Sequence, residues 1–472
     1  MKSPLYRFLF FLFAVIICLP FKGNTLLSDK DLSEVHEHYM NYPYPYVDPS
    51  GENKYSIPPI KGPRIEDINH YFFEGRGDLG RNKIFRILIA GGGTGSGLIH
   101  YAYMFRNNKQ AEITYLDFSL KSLEIARERA RNYGFKGISF VQDSIYNIPK
   151  IELGSFDYID CYGVLHHLSD PEEALRILKN VLSPHGGMFL MLYAYYGRQG
   201  TYSIQGSLRI LNQKATNMSY EEEVKRSRVL YSNILPQSWA MTSENSIESA
   251  TDVGFYDMYL HKQDVAFTIP ELYDYIEKRG GLHIVDIMCP LLRNVLNEKH
   301  VFLRSHNRKI ATQALNEVFS GSMGKHEILV SRNKNPIASL ENPENVPFFC
   351  IHKVTPIINA LSHGNIKNNK SIKIKMRIHY LTKPSFTVPV SKYTMDFIKL
   401  VLRRKHSIGE IIHRVSSSKL KKNATKGVED KVSRDFKKTF GSFIRHGLVL
   451  LRHQTLSDIA SFMEFDTVVE VN

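Results

Sequence analysis

The stretch Ile87-Leu-Ile-Ala-Gly-Gly-Gly-Thr-Gly-Ser-Gly97 decides the fold, because it joins a short apolar run to a loop of glycines. Apolar residues from 84 to 90 predict a buried strand, and residues 97 to 106 predict a helix. Glycines between a strand and a helix let the backbone approach a ligand closely. The glycine loop is therefore the first candidate for a binding site.

The spacing of these glycines excludes two familiar phosphate-binding loops. The dinucleotide spacing G-x-G-x-x-G does not occur in the loop, and neither does the Walker spacing G-x-x-x-x-G-K-[ST]. The spacing that remains is G-x-G-x-G at Gly91, Gly93 and Gly95. It suits a ligand that lies against the loop without a pyrophosphate at the helix N-terminus.

Strands and helices alternate on both sides of the glycine loop. Further strands are predicted at 112–117, 137–142, 156–161, 187–193, 281–287 and 326–331. Alternation at this spacing indicates an α/β fold with a doubly wound, Rossmann-like sheet of seven strands, whose first five strands run parallel. Residues 197–265 interrupt the alternation, and we interpret them as a cap inserted into one domain spanning 76–335.

Polar residues follow the second, third and fourth predicted strands. In open parallel sheets, ligands bind at the carboxyl ends of the strands. Asp117 is placed to accept both hydroxyls of a ribose. Gln142 and Asp143 can accept a hydrogen bond from an adenine amine, and Tyr162 and Gly163 begin the loop after the fourth strand.

Five stretches together resemble the class I S-adenosylmethionine-dependent methyltransferases. They are AGGGTGSG, YLDFS, FVQDSIYNIP, FDYIDCYGVLHHLSDPEEAL and HGGMFLMLY. The resemblance covers about residues 76–196, and the last two strands extend it to about 335. It implies that S-adenosyl-L-methionine is the cofactor. The glycines would hold its methionine portion, Asp117 its ribose and Asp143 its adenine, with Tyr162 to Leu165 lining the site.

The chain departs from this family at Ile89. The family usually has an acidic residue there, which helps to hold the ammonium group of the cofactor. Either cofactor affinity is weaker in this chain, or another acceptor serves.

The resemblance implies methyl transfer to an N or O nucleophile of a protein or small-molecule substrate. A base is needed only if the nucleophile must lose a proton. His166 and His167 are candidates for that base, the alternative being that they pack in the loop, and Tyr193 is a candidate for the substrate pocket. Two other functions stay open: a regulatory or interaction protein that binds the cofactor without catalysis, and another nucleotide-dependent enzyme.

Two N-terminal segments stand apart from this domain. Residues 8–21 form an apolar run inside a signal-like or anchor-like segment, 1–25, which leaves open a secretory signal, membrane attachment or a misassigned start. The implied chemistry is usually intracellular, so the localisation stays open. Residues 26–75 are rich in Tyr and Pro, and we interpret them as an arm packed on the domain or a lid over the site.

The C-terminal third carries most of the positive charge. The chain has a net charge of +14, and residues 301–472 hold 29 Lys and Arg against 13 Asp and Glu. Residues 336–472 therefore predict a smaller, basic α+β domain, with either an anionic partner or a solvated basic face. No RNA-binding signature occurs, so a nucleic-acid substrate is not predicted. The four cysteines form no C-x-x-C pair, and no metal site is predicted.

Overall fold

The structure is a computed structural model. It describes residues 38–39, 42–53, 62–213, 218–235, 237–238, 240–241, 250–289, 308–321, 323–350, 371–377, 385–418, 426–456 and 468–471. The apolar segment 8–21 and the rest of 1–25 lie outside the described residues. Within the described ranges, no helix is long and apolar enough to cross a bilayer.

Seven strands form one mixed sheet in the order β3-β2-β1-β4-β5-β7-β6. They are β1 (Phe85–Ala90), β2 (Ala111–Asp117), β3 (Ile138–Gln142), β4 (Phe156–Tyr162), β5 (Leu182–Tyr193), β6 (His283–Ile287) and β7 (Lys325–Ser331). Strands β1 to β5 pair in parallel, as predicted. Strand β7 lies between β5 and β6 and runs antiparallel to both, a direction that the apolar pattern does not encode.

Nine α-helices are described as far as the end of this sheet. They are α1 (Ile65–Phe72), α2 (Ser96–Met104), α3 (Leu120–Asn132), α4 (Pro171–Val181), α5 (Gln199–Asn212), α6 (Tyr220–Tyr231), α7 (Asp252–Tyr259), α8 (Ile269–Tyr273) and α9 (Arg308–Ser320). Two apolar clusters fill the two faces of the sheet. Leu88 belongs to one cluster and its neighbours Ile87 and Ile89 to the other, because side chains alternate along a strand. The doubly wound Rossmann-like fold is confirmed.

Helix α1 falls within the segment predicted as an arm, but it belongs to the folded body. All eight of its residues are buried, and it packs on β5. His70 joins it to the C-terminal region: its Nδ1 accepts a hydrogen bond from the Leu451 amide at 3.1 Å, and its carbonyl accepts one from the Ala338 amide at 2.8 Å. Of the described residues in that segment, 38–39 and 42–53 therefore form the arm, which includes a short 3-10 helix at Pro49–Gly51.

The C-terminal region has α+β structure and a core of its own. Its elements are β8 (Asn345–Phe349), β9 (Ser371–Arg377), β10 (Ser385–Pro389), α10 (Thr394–Val401), α11 (Ile408–Ser417), α12 (Lys426–Arg445), β11 (Val449–His453) and β12 (Val468–Val471). Strands β8 and β11 form an antiparallel pair, and β9 lies between β10 and β12. Phenylalanines from α10 and α12, including Phe397, Phe436 and Phe440, fill the core. This agrees with the predicted smaller α+β domain.

Candidate active site

A cavity of about 320 Å³ lies at the carboxyl ends of the parallel strands. Its volume is at the lower end of the range typical of small-molecule sites, about 300–1,000 Å³. Its lining residues include two groups on different parts of the chain. The glycine-loop wall consists of Gly91, Gly93, Asp117 and Asp143; the histidine wall consists of Tyr39, His167, Tyr193, Arg198 and Asp257.

The glycine loop has backbone conformations and close contacts that exclude side chains. Gly91 and Gly93 have φ angles of +70° and +54°. A Cβ atom on Gly91 would lie 2.6 Å from Val164 Cγ2, and one on Gly93 would lie 2.7 Å from the Tyr44 carbonyl oxygen. Gly95 has a different role, because it caps helix α2 and packs against Ala126 of α3.

Asp117 fixes the conformation of the loop. Its Oδ2 accepts a hydrogen bond from the Gly93 amide, and its Oδ1 accepts one from the Ser119 amide, both at 2.8 Å. Burial raises the pKa of Asp117 to about 6, and the two amides oppose that shift. A carboxylate has about four acceptor sites, so Asp117 can still accept hydroxyl groups.

Of the two site residues predicted after β3, Asp143 lines the cavity and Gln142 lies at the surface. Asp143 lines the cavity, and its Oδ1 accepts hydrogen bonds from the Ser144 amide at 2.7 Å and from Asn147 Nδ2 at 2.8 Å. Gln142 is exposed, and its amide lies 3.5 Å from the Phe118 carbonyl.

Tyr162, the last residue of β4, and Gly163, which follows it, both line the cavity. The Tyr162 hydroxyl accepts a hydrogen bond from Lys325 Nζ at 2.7 Å and donates one to Glu327 Oε1 at 2.9 Å. Both partners lie on β7, so this hydroxyl ties the end of β4 to β7 across the intervening strand β5.

The two adjacent histidines have different environments. His167 lines the cavity, and its Nδ1 donates to the Gln263 carbonyl at 2.7 Å. Burial lowers the pKa of His167, so the ring is neutral at neutral pH and Nε2 carries the lone pair. His166 is fully buried, and its ring lies 3.9 Å from that of Tyr193. The geometry therefore favours His167 over His166 as a candidate base.

A series of hydrogen bonds that no sequence motif predicts links His261, Tyr39 and Asp257 at the histidine wall. The Gln263 amide donates to His261 Nδ1 at 3.0 Å, so the proton of the neutral ring is on Nε2. That nitrogen lies 3.0 Å from the Tyr39 hydroxyl, which donates to Asp257 Oδ1 at 3.0 Å. These hydrogen bonds join the arm to the inserted cap.

Arg198 adds a buried positive charge beside these hydrogen bonds. Its Nη2 donates to Asp264 Oδ2 at 2.6 Å, and its guanidinium lies 3.6 Å from the centre of the Tyr193 ring. Both side chains of the ion pair are nearly inaccessible, with 6% and 1% exposure. No sequence motif marks either residue.

One ring nitrogen each of His167 and His261 and one carboxylate oxygen of Asp257 lie within 4.8 Å of one another, as the ligands of a metal ion do. However, His261 Nε2 carries a proton in the hydrogen bonds just described, and a nitrogen must be deprotonated to bind a metal. The observed bonding therefore favours a proton network. The absence of a metal site stays a prediction from sequence.

The described arm contacts both the glycine loop and the cap. The Pro45 carbonyl accepts a hydrogen bond from Thr94 Oγ1 at 2.7 Å. Glu52 pairs with Arg129 of α3 at 2.8 Å, and Arg129 also donates to the Thr94 carbonyl at 2.8 Å. On the other side, the rings of Tyr42 and Tyr220 stack with their centres 3.6 Å apart.

The family model described as a methyltransferase domain matches residues 82–241. This chain contains a methyltransferase domain. The fold of PKMT2 from Rickettsia typhi, solved in complex with AdoHcy, is similar: the TM-score is 0.56 at 14% identity, over 84% of this chain and 77% of PKMT2. The resemblance of the domain to class I S-adenosylmethionine-dependent methyltransferases is thus confirmed.

Two curated relatives match part of this chain. An uncharacterised Synechococcus protein is 34% identical over 199 residues, which cover 41% of this chain and 46% of that protein. The ubiquinone biosynthesis O-methyltransferase of Escherichia coli is 25% identical over 141 residues, covering 30% of this chain and 55% of the enzyme. The chain thus spans about half the length of the curated relatives it matches.

Proposed function

We propose that this chain binds S-adenosylmethionine in the cavity and catalyses methyl transfer to an N or O nucleophile of a protein or small molecule. The observation that carries the proposal is the bonding of Asp117 to the Gly93 amide. It holds the three consecutive glycines 91–93, and a carboxylate with spare acceptor sites, in the wall of one cavity.

The residues present fit this cofactor. Gly91 and Gly93 line the cavity with backbone atoms, and a Cβ atom at either position would collide with a neighbour. Asp117 would hold the ribose and Asp143 the adenine. When bound, the cofactor supplies a methyl group on a sulfonium, which is electrophilic without further activation.

The chain itself has to orient the nucleophile and, where the nucleophile must lose a proton, take that proton up. His167 is suited to that task, because its Nδ1–H is fixed on the Gln263 carbonyl and its Nε2 is available as a base. Arg198, Tyr193 and the Tyr39–Asp257 pair would surround the nucleophile and exclude water. The arm and the cap then act as a lid over the cavity.

Methyl transfer from labelled S-adenosylmethionine tests this proposal directly. The full chain is incubated with panels of phenols, amines and proteins, beside Asp117→Ala and His167→Gln. We expect label on one acceptor class, loss of cofactor binding in Asp117→Ala, and loss of transfer with retained binding in His167→Gln. If the folded chain binds the cofactor but labels no panel, the proposed catalysis is contradicted and cofactor binding stands.

A further inference from the structure

Asp160 is a buried carboxylate that the proposed mechanism does not use. It lies in the interior of strand β4, is 3% exposed and lines the cavity. A carboxylate surrounded by protein is unfavourable unless it is paired or protonated. At this position Asp160 therefore needs either a proton or a partner that stabilises its charge.

Asp160 is adjacent to Ile89, the position at which the chain departs from its family. Strands β1 and β4 pair in parallel, and Ile89 is the register partner of Asp160. A Cβ atom built on Gly97 would lie 3.2 Å from Asp160 Oδ1 and 3.7 Å from Ile89 Cγ2. Both side chains thus reach the same point, beside the first turn of helix α2.

Two tyrosines hold Asp160 from the opposite side. The Tyr101 hydroxyl donates to Asp160 Oδ2 at 2.9 Å, and it lies 2.8 Å from the Tyr158 hydroxyl, which is then the donor to Tyr101. These bonds orient the carboxyl group and direct Oδ1 toward Gly97. Both tyrosines are fully buried, so the orientation is rigid.

The charge of Asp160 depends on what lies next to it. Burial raises its pKa to about 7, and the bond from Tyr101 opposes the shift. A cation nearby would favour the ionised form. The carboxyl group is therefore suited to a ligand that brings its own positive charge.

We propose that Asp160 supplies, from strand β4, the carboxylate that the family usually has at the position of Ile89, and that it binds the ammonium group of the cofactor's methionine portion. The inference rests on the proposed function, since it needs that cofactor in the cavity. It makes Asp160 a binding residue, and it removes Ile89 as a reason to expect a degenerate site.

Calorimetric titration with two ligands separates the ammonium contact from other effects. The full chain and Asp160→Asn are each titrated with S-adenosylhomocysteine and with its deamino analogue, in which hydrogen replaces the amino group. A hydrogen bond to a charged group contributes about 1.5–3 kcal/mol, so the variant should bind S-adenosylhomocysteine about 10- to 100-fold more weakly. Its affinity for the deamino analogue should stay unchanged.

A second variant moves the carboxylate back to β1. Ile89→Asp combined with Asp160→Asn should regain most of the lost affinity for S-adenosylhomocysteine, because the two positions are register partners. Asp157→Asn is the matched control: it makes the same change on the same strand, at a residue that accepts a hydrogen bond from the Arg86 amide and does not line the cavity, and it should change the affinity less than about threefold.

Equal weakening for both ligands would overturn the inference, because it would make Asp160 a structural residue. Unchanged binding of S-adenosylhomocysteine by Asp160→Asn would overturn it as well. Neither result would affect the proposed function, since the original chain would still bind the ligand. If the original chain binds neither ligand while folded, the proposed function itself fails.

Discussion

The glycine-loop wall and the histidine wall line one cavity but are assembled in different ways. The glycine-loop wall comes from short segments that directly follow β1, β2 and β3, and its key bond joins residues 24 positions apart, Gly93 and Asp117. The histidine wall brings together residues from the arm, the loop after β4 and the cap; Tyr39 and Asp257 are 218 positions apart. The first wall is local in sequence, whereas the second exists only in the folded chain.

This difference suggests a division of labour. A local motif with fixed glycines suits a ligand that many proteins share, because only the backbone and one or two carboxylates are needed. A wall assembled from loops can vary without disturbing the sheet. We therefore propose that the glycine-loop wall binds the cofactor and that the histidine wall handles the acceptor.

Substitution of His167 should separate the functions of the two walls most clearly. His167→Gln should lower the rate of methyl transfer by about 10²- to 10⁴-fold, the usual contribution of a general base, and leave the affinity for S-adenosylhomocysteine within about twofold. Because burial lowers the pKa of His167, the rate in the original chain should not fall until the pH is below about 6.5, the ordinary histidine pKa. Pre-steady-state rates and calorimetry on the same samples measure both effects.

Substitution of Gly93 should instead affect mainly the binding of the cofactor. In Gly93→Ala, the new methyl group meets the Tyr44 carbonyl at 2.7 Å and the backbone is held at a φ of +54°, so we expect about hundredfold weaker binding of S-adenosylhomocysteine. Gly206→Ala is the matched control, because nothing lies within 4 Å of a Cβ atom there. Equal effects of the two alanine substitutions would argue against binding of the cofactor by the glycine-loop wall.

The arm connects the two walls, and an ion pair between Glu52 and Arg129 holds it to α3. The Arg129 side chain is 2% exposed and that of Glu52 is 14% exposed. Glu52→Gln leaves the guanidinium without its charge partner and should lower the free energy of unfolding by about 3 kcal/mol. The same change at Glu173, whose ion pair with Arg176 is exposed, should lower it by less than about 1 kcal/mol. Urea denaturation of both variants makes the comparison.

The buried histidines should make the folded chain sensitive to acid. Burial lowers the pKa of His38 to about 4, whereas the unfolded chain binds that proton near pH 6.5. The stability contributed by the neutral ring is therefore complete above pH 6.5 and is lost as the pH falls toward 4. His38→Phe should reduce the loss of unfolding free energy between pH 7 and pH 5 by about 2 kcal/mol. An unchanged pH dependence would show that His38 titrates normally.

The sequence predicts the sheet and the glycine-loop wall because both depend on local patterns. Strand periodicity, glycine spacing and the carboxylates at strand ends are visible within a few residues of one another. Gln142 is the exception: its neighbour Asp143 faces the cavity and it does not, since successive residues at the end of a strand face opposite ways.

The histidine wall could not be predicted, because no short pattern links Tyr39, Arg198 and Asp257. The buried helix α1 was missed for a related reason, since its partner β11 lies almost 400 residues later. Asp160 was visible in the sequence, but its meaning depends on the register of β4 with Ile89 of β1. An anionic partner for residues 336–472 stays a prediction.

The most direct test of the central claim is calorimetric titration of the full chain and of Asp117→Ala with S-adenosylmethionine. We expect a micromolar dissociation constant for the original chain and a loss of at least about hundredfold in the variant, which loses the loop bond and the ribose acceptor together. Absence of binding by the folded original chain, or equal binding by Asp117→Ala, would contradict the assignment of the glycine-loop wall.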